Sequence, residues 1–171
     1  MNFWSTLQEH LSRPEYMHVL LNPLPVYGLA MAIVALIIAL VARNRVALFS
    51  ALVLVFLTSL SAWPTYLYGE AGYDRIKAIS DPIGEQWLGE HKARGERLIA
   101  IFYVLAALAL GAIIAPLKWR RSSVPLAIAT LILAIATLAI GSWVAYPGGH
   151  VRHKEFRFEP RPPARPPKQG L

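Results

Sequence analysis

Four stretches of the chain are apolar on every side, and each is free of charged residues: Leu24 to Ala42, Val46 to Tyr68, Leu98 to Leu117 and Val124 to Tyr146. A run of about 20 such residues, rising ~1.5 Å each, crosses a hydrocarbon core of roughly 30 Å. Soluble helices keep a polar face, so the pattern predicts membrane spans. The links Arg43-Asn44-Arg45 and Lys118-Trp119-Arg120-Arg121 leave room only for antiparallel hairpins. The expected fold is an all-α integral membrane protein, a four-helix up-down bundle.

Polar positions refine this division. Residues 1–21 form an interfacial amphipathic segment in which Phe3, Trp4, Leu7 and Leu11 recur at helical spacing, with a break near Pro14. Residues 22–146 form the membrane domain, with 69–97 as its sizeable loop, and 147–171 form a proline-rich basic tail expected to be extended and mobile. Pro23 and Pro25 should hold the chain at the head of the first span, since proline is excluded from a helix interior. Pro64, with Thr58, Ser61 and Thr65 around it, predicts a kink in the second span. Asp81-Pro82 is a helix start from which the pattern can run on into the third span, placing Trp87, His91, Leu98 and Phe102 on one face. Pro147-Gly148-Gly149-His150 reads as a sharp exit turn after the fourth span. Faces of small residues predict close helix contacts: Gly28, Ala32, Ala35 and Ala39; Ala107, Gly111 and Ala115; Thr130, Ala134, Thr137, Gly141 and Ala145.

The chain of 171 residues has no cysteine, which removes disulfides, thiolate metal sites and cysteine-attached haem. No cleavable secretory signal is expected, the first span serving as the insertion signal. Its formal charge of +7 points to anionic lipid head groups rather than nucleic acid, because the bases sit at membrane edges and in the tail. An even number of spans puts both termini on one side, together with all five histidines and all ten acidic residues. The opposite links carry only bases. Short, acid-free basic links of this kind are cytoplasmic in character, which puts the termini on the periplasmic side of a bacterial inner membrane.

The histidine side holds the candidate chemistry. His18 precedes the first span, His91 the third, and His150 follows the fourth, all at one membrane level. Imidazoles on facing helices are suited to axial ligation of a b-type haem, which needs no cysteine. His91 and His18 are the preferred iron ligands, His150 is the reserve, and Arg94, Arg97 and Arg152 are the candidate partners for the propionates. Asp81, Glu85, Glu90 and Glu96 match no di-iron spacing and read as a solvated helix face. Metalloprotease, nucleophile-elbow and phosphate-loop motifs are missing, and the middles of the spans hold no charge of the kind ion-coupled transporters use.

The stretch His18-Val19-Leu20-Leu21-Asn22-Pro23-Leu24-Pro25 resembles the opening of an uncharacterised family of small bacterial four-helix membrane proteins, which begin His-Pro-x-x-Val-His-Phe-Pro. That family also has a histidine near the start of its third helix, where His91 stands, and a Gly-Gly turn after the last, as at Gly148-Gly149. The resemblance implies a four-helix membrane domain with a haem or redox association. Pro23 stands where the family has its second histidine, and Val19 where it has proline. The expected function is a subunit of a membrane redox or respiratory complex, not an enzyme on its own, with other membrane subunits or further copies as partners. The alternative is a cofactor-free scaffold or assembly subunit, and a membrane enzyme acting on a lipid or quinone is the third reading.

Overall fold

The computed structural model describes residues 2–158, 160 and 162, and among these it is helical with no strand. The helices are α1 (Phe3–Leu11), α2 (Pro14–Leu21), α3 (Leu29–Ala42), α4 (Arg45–Leu60), α5 (Ala62–Ala78), α6 (Pro82–Leu98), α7 (Ala100–Lys118) and α8 (Ser123–Arg152). Near-continuous helical runs form four spans: Pro14–Ala42, Arg45–Ala78, Pro82–Lys118 and Arg120–Arg152. Their 29 to 37 residues make rods of about 44–56 Å, longer than the roughly 30 Å of hydrocarbon. The protein is a membrane four-helix bundle with helical extensions. Large apolar side chains such as Met31, Val41, Leu57, Ile114 and Ile132 cover its outside, a surface suited to lipid.

Around the bundle α3 packs on α4, α4 on α7, α7 on α8 and α8 back on α3, which closes the up-down ring. The core is Leu29, Leu36, Leu52, Val55 and Leu105 set against small residues, Ala109, Ala112, Ala127 and Ala134 among them. Two expected small faces are interior: Ala32 and Ala39 on α3, and Thr130, Ala134, Thr137 and Gly141 on α8. The third points the other way. Ala107 and Gly111 are exposed, and α7 buries Leu105, Ala106, Ala109 and Ala112 instead. A span apolar on both faces carries no pattern that tells lipid from core.

Three further expectations are corrected. Pro23 and Pro25 do not stop the first span; a π-turn over Leu24–Gly28, with the Tyr27 and Gly28 amides donating to the Pro23 carbonyl at 2.8 and 3.2 Å, carries the helix through them. The loop of 69–97 shrinks to residues 79–81, because α5 continues to Ala78 and α6 starts at Pro82. The exit turn at Pro147-Gly148-Gly149 is helical too, and α8 ends at Arg152. The second span is interrupted within a turn of Pro64, α4 ending at Leu60 and α5 starting at Ala62. Hydroxyls serve carbonyls around it, Ser61 donating to Thr58 at 2.6 Å and Thr65 to Ser61 at 2.8 Å.

The start of the tail is pinned rather than mobile. Arg157 donates to both oxygens of Asp81 at 2.9 Å and to the His150 and Val151 carbonyls at 2.7 Å, so it caps the end of α8. Asp81 also caps α6 by accepting from the Gly84 amide at 2.6 Å. Glu159, Arg161 and residues 163–171 of the tail lie outside the described residues.

Two predictions follow from this packing. A Cβ at Gly141 would stand 2.8 Å from Cζ of Phe102, whereas one at Gly111 meets nothing within 4 Å. Gly141→Leu should therefore destabilise the bundle in detergent by about 1–3 kcal/mol, and Gly111→Leu by no more than about 0.5. Thermal unfolding of the two variants checks this, and equal losses would refute the helix orientation. The Gly84 amide, followed by Arg157, holds the Asp81 carboxyl down to about 2, below its ordinary value of about 3.9. A depressed carboxyl contributes stability above its unfolded value and loses it as pH falls through the folded one. Protection of the amides of residues 150–157 against exchange, relative to the unfolded chain, should be high above about pH 4 and fall toward pH 2. In Arg157→Ala it should be low throughout.

Candidate functional site

The histidine end is where the bundle divides. Beyond the π-turn at Leu24–Gly28 and the breaks at Ser61 and Ile99, α2 packs on α5 and α6 packs on α8, while α5 and α6 scarcely touch. A cleft of about 270 Å³ opens between the two helix pairs, with Pro25, Ala62, Ile99, Phe102 and Gly141 among its lining. Close approach within each pair uses glycine. A Cβ at Gly72 would stand 3.0 Å from the Glu15 backbone, and one at Gly84 would stand 2.7 Å from the Val151 carbonyl.

His18 on α2 and His91 on α6 face each other across this cleft, their ring centres 6.1 Å apart and their planes at 72°. Nδ1 of His18 lies 2.8 Å from the Thr65 carbonyl, and Nδ1 of His91 lies 2.8 Å from the Val144 carbonyl. A carbonyl oxygen only accepts, so in each ring Nδ1 carries a proton, and Nε2 is the nitrogen left for another partner. Each histidine is thus held by the neighbouring helix of its own pair. The sites for both rings are cut to size by glycines: a Cβ at Gly69 would stand 2.8 Å from Nδ1 of His18, and one at Gly148 would stand 3.3 Å from His91.

The other sequence candidates are dispersed. His150 is buried outside the cleft, its Nδ1 2.9 Å from the Tyr146 carbonyl and its ring centre 4.4 Å from Trp87 and 4.5 Å from Tyr146. Arg94 is committed to Glu90 at 2.8 Å, to the Trp143 carbonyl at 2.8 Å and to the face of the Trp143 ring at 3.9 Å. Arg97 is exposed and does not line the cleft, whereas Arg152 does. No cluster of three or more histidine, aspartate or glutamate residues able to hold a metal ion occurs among the described residues.

Sequence reasoning missed several lining residues. Lys92 lies on the cleft wall, its Nζ 2.6 Å from Glu70, 3.8 Å from Glu96 and 4.5 Å from the Tyr73 ring centre. Glu15 pairs with Arg75 at 2.9 Å. Of the four acids read as a solvated face, Glu90 and Glu96 pair within α6, whereas Glu85 reaches Lys77 on α5 at 3.1 Å and Asp81 holds Arg157. Gly95 borders the cleft with open space where its Cβ would be. Its position one helical turn after His91 is a signal the sequence does carry. Nothing local, by contrast, pairs Lys92 with Glu70 or sets Gly69 beside His18.

A cleft of this kind can do two things chemically. It brings two imidazoles to one small volume, and it lines that volume with tyrosine, lysine and arginine as well. The chain was compared with protein-family models, curated proteins and solved structures, and none matches.

Proposed function

We propose that this small membrane protein binds a b-type haem in the cleft, with His18 and His91 as axial ligands, and serves as an electron-transfer subunit of a membrane complex. The observation that carries the reading is the histidine pair. Two imidazoles that would hold one haem must come from facing helices and stand close together, and these rings have centres 6.1 Å apart. A backbone carbonyl on Nδ1 is also the usual outer partner of a metal-bound histidine, fixing ring orientation and raising the basicity of Nε2. Arg152 and Lys92 at the cleft are the bases best placed to meet propionates, in preference to Arg94 and Arg97. The resemblance of residues 18–25 to small bacterial membrane proteins with a haem or redox association supports the same reading, as it does a bacterial inner membrane. The acid-free basic links favour the cytoplasm for their own end and hence the periplasm for the histidine end.

A second reading has its own support. Both rings already join helices through carbonyl hydrogen bonds, which is sufficient for a structural role in a cofactor-free scaffold.

An absorption spectrum separates the two. Protein expressed with haem supplied and purified in detergent should show a sharp Soret band, with narrow bands on reduction by dithionite. His18→Ala and His91→Ala should each lose the low-spin spectrum. Gly95→Leu, which fills open cleft space without touching a ligand, should lower haem content several-fold, and His10→Ala should leave it unchanged. A flat spectrum in the unaltered protein, with His91→Ala lowering only thermal stability, would overturn the haem reading in favour of the scaffold.

A further inference from the structure

The opposite end of the bundle contains a second space. Near the two basic links a cavity of about 620 Å³ reaches down to Ala39, Leu48, Leu52 and Ala112, which are core residues. Arg43, Arg45 and Arg120 line it, and among the described residues no acidic one does. Among the described residues no ion pair involves any of these arginines, whereas bases at the histidine end pair with Glu15, Glu70, Asp81, Glu85 and Glu90. Three cations are thus gathered at one opening without a counter-charge from the protein.

The backbone adds an independent observation. Arg43 has φ 51° and ψ 30°, and it is the only non-glycine residue with positive φ among those described. That left-handed position at a helix end is usually taken by glycine or asparagine. Asparagine stands next door, but Asn44 is used as the cap of α4, accepting from the Val46 and Ala47 amides at 2.9 and 3.0 Å. An arginine is kept in a conformation that disfavours it, beside the other two.

Below the charges the wall is hydrocarbon: Leu40, Phe49, Leu52, Ile113 and Leu117. Phe49, Leu117 and Val124 are also exposed on the outside of the bundle, so the chamber is continuous with the lipid around it. A free anion has no use for an apolar chamber, and a neutral lipid has none for three unpaired arginines. We propose that this end holds one anionic phospholipid, its phosphate on Arg43, Arg45 and Arg120 and an acyl chain in the chamber beneath. The site is independent of the histidine end and of what binds there.

The test is thermal unfolding of the delipidated full chain in detergent, titrated separately with phosphatidylglycerol, phosphatidylcholine and inorganic phosphate. Phosphatidylglycerol should raise the midpoint in a saturable way, and the other two should leave it unchanged. Substituting the arginines by glutamine should weaken the phosphatidylglycerol effect roughly fivefold for each one removed. Arg43→Gly provides a variant that does not compromise folding: relief of the left-handed strain should raise its lipid-free midpoint while its response to phosphatidylglycerol weakens. An equal response to phosphatidylcholine, a response to phosphate alone, or a full response in the triple glutamine variant would each overturn the proposal.

Discussion

The seam of small residues along α8 is the contact on which the rest of the bundle closes. In hydrocarbon no hydrophobic force draws helices together, so association rests on close van der Waals packing and on hydrogen bonds between them. Ala127, Thr130, Ala134 and Thr137 are fully buried along this seam, and Gly141 below them receives the Phe102 ring. α8 is also the one span without a break between its basic and histidine ends. It carries the same surface from the hydrocarbon layer out to Gly148, where the missing Cβ admits His91. The position of that histidine is thereby set by a helix remote from it in sequence.

The other three spans each yield at the level where the bundle divides. A π-turn takes up two prolines in the first, Ser61 interrupts the second, and Ile99 interrupts the third. These irregularities turn a closed four-helix ring into two helix pairs, and the cleft is the gap between the pairs. Backbone groups released by such breaks need partners inside a membrane, and the hydroxyls of Thr58, Ser61 and Thr65 provide some of them. The same irregular layer supplies the Thr65 carbonyl to His18.

Charge divides the molecule as sharply as packing does. At the histidine end, acids and bases from different helices pair off, and Asp81 binds a helix start, a helix end and the tail through Arg157. At the other end the bases stand without acids around an apolar chamber. One end is internally satisfied, and the other is left to charges outside the protein.

How much of this was legible in the chain depends on what a single helix can express. The four spans, their antiparallel order and the helix start at Asp81-Pro82 were readable, because a hydrocarbon layer demands charge-free runs and short links allow no other path. The level shared by His18 and His91 was also readable, since it follows from their distance to the ends of their spans. Which face of α7 is interior was not: with both faces apolar, Gly111 looks as suitable for packing as Ala109, and only the neighbouring helices distinguish them. The helical course through Pro25 and Pro147 escaped for a related reason. Proline opposes a helix locally, and the contacts that outweigh it come from elsewhere in the fold. The sequence by itself therefore determined that the chain spans a membrane four times with its histidines at one end, because solvation by lipid acts on each segment separately. The tertiary structure alone decided that His18 and His91 meet across a cleft while His150 packs against Trp87, because those distances depend on helix rotations that no segment encodes alone.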